Sequence, residues 1–146
     1  MSGAFELVSL NVSEAKGTAK RPVLEFVLVE GRGVRGDAHE GPGDRQVSLL
    51  AAEDIEAFRA KGFEAAPGDF AENLTTRGVD LASLPLGTRL SIGGALLEIS
   101  RIGKECHSAC SIRERTGDCI MPRRGVFARV LVGGRIGRES PCRYGV

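Results

Sequence analysis

The chain has 146 residues, 42% hydrophobic and 27% charged, enough to build a core without disulfide staples. Its net charge of +1 supplies no strongly basic field to collect nucleic-acid phosphates, although a local basic pocket for a small anion stays open. No stretch approaches about 18 unbroken apolar residues, and the N-terminus lacks the basic and apolar regions of a secretory signal, so a cytoplasmic protein with reduced thiols is expected.

Twenty glycines, about twice ordinary use, are spread along the chain and predict many tight turns between short strands. In chain order, alternation in "FELVSLNV" predicts a first strand. "PVLEFVLVEG" predicts a second, with Leu24, Phe26 and Leu28 on one face, and "RQVSLLA" a short third. "AAEDIEAFRAKG" predicts a helix: Ile55 and Phe58 lie three apart, acids come early, Arg59 and Lys61 late, and Gly62 is placed to end it. In "TRLSIGGALLEISRIG", Leu90 and Ile92 precede Gly93-Gly94 while Leu97 and Ile99 follow, which predicts a tight hairpin. "GVFARVLVGGRIG" repeats that design around Gly133-Gly134, with Val126, Ala128, Val130 and Val132 on one face and Phe127, Arg129 and Leu131 on the other. Short strands, glycine-rich turns and one helix predict a mainly β fold, a barrel with a small helical part.

Three stretches carry candidate chemistry. Residues 31–41, "GRGVRGDAHEG", are either a turn-rich connection in which Asp37 bonds its own backbone, or a loop whose Arg32, Arg35, His39 and N–H groups hold an anion. A P-loop is excluded, because the Lys-[Ser/Thr] ending is missing. Residues 68–78, "GDFAENLTTRG", offer Glu72, Asn73, Thr75 and Thr76 as cap and turn residues, or Asn73 as donor and acceptor toward a heterocycle. Residues 103–110, "GKECHSAC", bring Lys104, Glu105, Cys106, His107 and Cys110 together. That cluster reads as a zinc site completed by Cys119 or His39, as buried structural cysteine, or as a reactive thiolate. Lys104 and His107 would lower the Cys106 pKa and Glu105 would oppose them. On the residues alone all three readings stay open.

The blocks "NVSEAKGTAKRPV", "GVRGDAHEG", "RQVSLL", "FAENLTTRGVDL", "LGTRLSIGGALLEI", "GKECHSACSI" and "TGDCIMPRRGVFARVLVGG" follow one another from about Val8 to Gly134. In this order the chain resembles the MOSC domain family, named for the C-terminal domain of molybdenum cofactor sulfurases, in its compact stand-alone form. The resemblance implies a single MOSC domain over residues 1–146 and a β-rich barrel that binds the molybdenum cofactor (molybdopterin) or carries its sulfur as a persulfide. By motif position it implies catalytic roles for Cys106 and Cys119, molybdenum ligation by Cys106, and cofactor binding by His39, Arg45, Asn73 and Lys104. Two departures stand out: Glu105 occupies a position where many relatives have Pro, and Cys106, Cys110 and Cys119 stand where many have one cysteine. In some relatives the functional cysteine lies nearer the position of Cys119. The implied partners are a pyridoxal phosphate-dependent cysteine desulfurase or a molybdopterin-biosynthesis protein, with no nucleic acid and no membrane. The expected function is a sulfur carrier or cofactor-binding protein. The alternatives are a small molybdoenzyme reducing N-hydroxylated compounds, or a zinc or thiol redox module without catalysis.

Overall fold

The computed structural model describes residues 2–16, 18–103 and 121–145. The first predicted strand is β1 (Ser2–Val12), and its length lets it pair with three partners. Ser2 to Phe5 pair with β11 (Cys142–Gly145), Glu6 to Leu10 with β6 (Leu74–Arg77), and Leu10 to Val12 with β2 (Arg21–Val23). Between these, β5 (Val47–Ala51), β7 (Arg89–Ile92), β8 (Ala95–Ile102) and β9 (Val126–Val132) complete a closed seven-strand barrel in the order β1-β11-β7-β8-β9-β5-β6. Within it only β5 and β6 run parallel. A parallel pair needs a crossover, and α1 (Ala52–Ala60) begins it directly after β5.

The barrel is filled by Leu10, Leu49, Leu74, Leu90, Ile92, Leu97, Ile99 and Val126, all essentially without exposed surface. Outside the wall, Ile55 and Phe58 of α1 cover Leu50, Phe70, Ala71 and Phe127 in a second apolar cluster. β5 is therefore buried on both faces: Val47 and Leu49 point into the barrel, Leu50 toward the helix. This explains why "RQVSLLA" shows an apolar run with no clean alternation. The helix matches its sequence signals, with Glu53 and Asp54 in the first turn, Arg59 in the last, and Gly62 beyond the end at φ 99° donating to the Arg59 carbonyl.

Two expectations need correction. "PVLEFVLVEG" is not one strand. It breaks at Leu24, where the chain leaves β2 on the barrel and becomes β3 (Glu25–Val29), the centre of a separate sheet between β10 (Gly134–Gly137) and β4 (Gly33–Val34). Phe26 and Leu28 are buried as expected, but Leu24 sits at the corner, 88% exposed. The second glycine pair makes no hairpin either. β9 pairs with β5 and β8, whereas β10 pairs with β3. Gly133 is required for a different reason: a Cβ there would lie 2.5 Å from the Leu28 carbonyl oxygen, where the chain crosses from barrel to small sheet. Val132, at that crossing, is 50% exposed. The Gly93-Gly94 hairpin forms as predicted, with Leu90 opposite Leu97.

Gly133→Ala is expected to lower unfolding free energy by about 1–3 kcal/mol, because main chain must shift to admit the methyl group. Gly94→Ala meets nothing within 4 Å and should stay within about 0.5 kcal/mol of wild type. Urea denaturation midpoints of the two variants check the contrast.

Candidate functional site

At one end of the barrel, three chain segments meet around a buried cation. Lys20, in the loop that enters β2, is 3% exposed, and its ammonium donates to both Asp37 carboxylate oxygens at 2.9 and 3.0 Å, to Ser13 Oγ at 3.0 Å, and to His39 Nδ1 at 2.9 Å. An ammonium has three protons, and Asp37, Ser13 and His39 use them. Nδ1 of His39 is thereby an acceptor, so its proton sits on Nε2. Asp37 also accepts the backbone N–H groups of Ser13 and His39, the latter being the local bond expected of a turn Asp. Burial alone would raise its carboxyl pKa. The hydrogen bonds from the His39 and Ser13 backbone N–H groups and from Lys20, with the Lys20 charge, overcome that and hold it well below the usual carboxylate range. The His39 side chain is 32% exposed, so this inner network fixes a ring that reaches the surface. A hollow of about 330 Å³ lined by Ser13, Glu14, Ala15, Thr18 and Arg21 lies alongside. The larger hollows, about 840 Å³ beside Leu24 and Glu139 and about 790 Å³ beside Phe63, touch none of these groups.

The anion cradle expected in residues 31–41 is altered by Glu40. Its carboxylate accepts the Gly36 N–H at 2.9 Å and faces Arg32 Nε at 3.4 Å, while the Arg35 N–H bonds the Val27 carbonyl. The loop glycines serve geometry: Gly33 lies at φ 108°, where a Cβ would fall 2.1 Å from the Gln46 carbonyl oxygen.

Arg45, at the other end of the same loop, is exposed, with its guanidinium carbon 5.6 Å from the centre of the Phe127 ring. Phe127 pairs with Arg101, two residues before Gly103, where the described part of β8's continuation ends. The Gly103 N–H donates to the Gly125 carbonyl at 2.6 Å, and Arg124 bonds Asp54 Oδ1 at 2.9 Å and also Asp80. The two ends of the stretch that carries the cysteine cluster therefore meet at one point on the barrel, next to α1 and near Arg45. Lys104, Cys106, His107, Cys110 and Cys119 lie outside the described residues. Among the described residues no group of three or more His, Cys, Asp or Glu could hold a metal ion.

Asn73, which the resemblance offers as a cofactor contact, immediately precedes β6. It has no exposed surface: its Oδ1 accepts from the Ser48 N–H and hydroxyl, and its Nδ2 donates to the Asn11 carbonyl. Its amide ties β1 to β5 across β6. Beside it, Glu72 is wholly buried and accepts from the Gly68 N–H, the Phe70 N–H and the Thr75 hydroxyl. Burial dominates there and pushes its pKa up to about 7, against those hydrogen bonds. Ala71 holds φ 63°, a left-handed conformation that aims Glu72 and Asn73 inward. Cys142, the fourth cysteine, is buried, and burial first and Glu6 second push its thiol up to about 11.

Lys20, Ser13 and Glu72 escaped the sequence reading as site residues. Lys20 stands in "NVSEAKGTAKRPV" with Lys16, and nothing local tells a buried lysine from a solvated one.

The closed mixed barrel, with its crossover helix, thus carries a buried Lys–Asp–His group at its rim. Residues 35–142 match the MOSC domain, and the chain belongs to that family. Membership carries a molybdenum-cofactor-related role at the level of the family. Its fold is similar to that of the YuaD protein of Bacillus subtilis, with a TM-score of 0.82 and 18% identity over 99% of this chain and 97% of that one. It is also similar to YiiM of Geobacillus stearothermophilus (0.76, 21%, covering 97% and 75%) and YiiM of Escherichia coli (0.73, 20%, covering 99% and 70%). No curated protein sequence matches it.

Lys20→Met should cost about 3–5 kcal/mol, because it strands a buried carboxylate, and adding Asp37→Asn should recover part of that loss in a double-mutant cycle. Asp37 is more acidic folded than unfolded, so its contribution is present above the unfolded value of 3.8 and is lost as pH falls toward its folded value. Glu72 acts oppositely. Its folded pKa is about 7 against 4.5, the native state holds the extra proton, and stability should fall by on the order of 3 kcal/mol as pH rises between those values. Urea titrations from pH 3 to 8, repeated on Glu72→Gln, separate the two slopes. Under native conditions Cys142 should resist alkylation until the protein unfolds.

Proposed function

We propose that the chain binds the molybdenum cofactor at the rim formed by residues 13–20 and 35–46, and that Cys106 acts as its sulfur-handling thiol. The observation that carries the reading is the complete use of the Lys20 protons, which leaves His39 presenting an Nε2–H from a rigid, partly open position. A donor of that kind suits a pterin heteroatom or a phosphate oxygen. Arg45 offers a guanidinium stacked on Phe127, which suits a terminal phosphate. The donor set therefore fits an anionic pterin ligand. Asn73, with its amide engaged inside the wall, supports the rim from behind and does not touch the ligand.

When bound, the cofactor supplies a redox-active molybdenum centre. The chain's contribution is orientation by His39 and Arg45, with Lys104 adding positive charge beside the thiol. Cys106 supplies a soft thiolate, the ligand type that suits both molybdenum and persulfide sulfur. For sulfur carriage, the Cys106 thiolate attacks the terminal sulfur of a desulfurase persulfide. A new S–S bond forms, the donor's S–S bond breaks, and the donor cysteine leaves as thiolate. Such thiol chemistry suits a reducing, cytoplasmic setting.

After incubation with a cysteine desulfurase and cysteine, mass spectrometry should find one added sulfur atom on the Cys106 peptide and none in Cys106→Ser. Sulfur on the Cys119 peptide, with normal loading of Cys106→Ser, would move the role to Cys119. His39→Ala and Arg45→Ala should each weaken cofactor binding by about 1.5–3 kcal/mol with the fold intact. Metal analysis of protein from a molybdenum-replete host decides among the wider readings. Molybdenum with pterin supports this one, added turnover of N-hydroxylated compounds supports a complete enzyme, and stoichiometric zinc alone overturns both.

A further inference from the structure

Glu72 has no part in that chemistry, yet two hydrogen-bond routes lead from it to the Lys20 group. In the first, its Oε2 accepts the Gly68 N–H at 2.9 Å, and the Gly68 carbonyl accepts the backbone N–H of Lys20 at 2.7 Å. Gly68 lies at φ 90° and so close to Lys20 that a Cβ would fall 2.3 Å from the Lys20 carbonyl oxygen. The turn at Gly68 is thus a rigid spacer between the carboxyl and the Lys20 main chain. In the second route, Asn11 donates to the Glu72 carbonyl at 3.1 Å and to Thr75 Oγ1 at 3.2 Å, while the Ser9 hydroxyl bonds Asn11 Oδ1. Two residues beyond Asn11, the Ser13 N–H and hydroxyl hold Asp37 and Lys20. A carboxyl with no exposed surface and three donors converging on it is costly to keep unless its geometry is needed.

We propose that Glu72 is a positioning residue for the rim: by holding Gly68 it sets the Lys20 main chain, and through the Lys20 ammonium it fixes the tautomer and direction of the His39 ring. The importance of that ring for a ligand rests on the functional reading above; its orientation does not. Reach matters here more than charge. In Glu72→Gln the side-chain carbonyl can still face Gly68 and Thr75, losing only the Phe70 bond. In Glu72→Asp the carboxyl group remains, but its oxygens retract by one methylene group and cannot span to Gly68.

The test is nitrogen NMR of histidine-labelled full-length protein without cofactor, with His39 signals assigned by their loss in His39→Gln. Wild type and Glu72→Gln should show a single Nε2–H tautomer, with Nδ1 in the range of an unprotonated, hydrogen-bonded nitrogen. Glu72→Asp should show a mixture, its Nδ1 signal moving toward the protonated range, together with about tenfold weaker cofactor binding. Leu97→Ala, a barrel-core cavity variant, controls for lost stability and should leave the His39 signals in place. Unchanged His39 signals in Glu72→Asp overturn the proposal. If that variant is unfolded at 25 °C, Gly68→Ala displaces the same contact from the other side, and the same two outcomes decide. Wild-type cofactor affinity in His39→Gln would instead overturn the functional reading, without touching the link from Glu72 to the ring.

Discussion

The buried Lys20–Asp37 pair locks together three segments that the β1–β2 pairing and the Ala38–Ser13 backbone bond bring side by side. Ser13 ends the long strand β1, Lys20 precedes β2, and Asp37 and His39 follow the two-residue strand β4. A buried ion pair adds little net stability when compared with an apolar pair of equal volume. What it does supply is direction. The three ammonium protons are shared among four acceptors, each carboxylate oxygen accepts from more than one donor, and alternative arrangements of the rim would leave a charge unpaired. The loop of residues 31–41 is then free to be rich in glycine without being undefined.

The same logic extends into the wall. Closing a barrel and laying α1 against its outer face buries β5 and its neighbours on both sides, so every polar group there must find an internal partner. Ser48, Asn73, Asn11, Thr75 and Glu72 meet that demand by bonding one another and the main chain. The result is a polar seam between β1, β5 and β6 that joins the parallel crossover to the rim. The rim's histidine is held by backbone and buried groups more than by its own loop. Thr76 Oγ1 and the second oxygen of Asp54 are buried with no hydrogen-bond partner among the described residues, and no physical account of either emerges from their surroundings.

Arg124 is a second cation that joins separate segments through carboxylates. It draws Asp54 of α1 and Asp80 to the start of β9. The burial of Asp54 raises its carboxyl pKa, and the guanidinium opposes that rise. With the Gly103–Gly125 bond, this anchors both ends of the stretch to the barrel beside Arg45 and Phe127.

Local rules determined the elements whose signals are local. The helix came from spacing, charge order and Gly62; the β7–β8 hairpin from alternation on either side of two glycines; and the family from the order of its blocks. Partnership was a different matter. "GVFARVLVGG" reads as a second hairpin, because alternation reports that a strand has two faces and is silent on which strand lies beside it. Leu24 alternates correctly with Phe26 and Leu28 and is nonetheless exposed, since the chain changes sheets at that residue. Asn73 has its amide engaged inside the wall, and Lys20, which no local signal sets apart from a solvated lysine, is the buried centre of the rim. Burial and pairing depend on contacts between residues dozens of positions apart, such as Ser48 with Asn73 and Asn11 with Glu72. Those contacts exist only once the barrel has closed, and so only the tertiary structure could decide them.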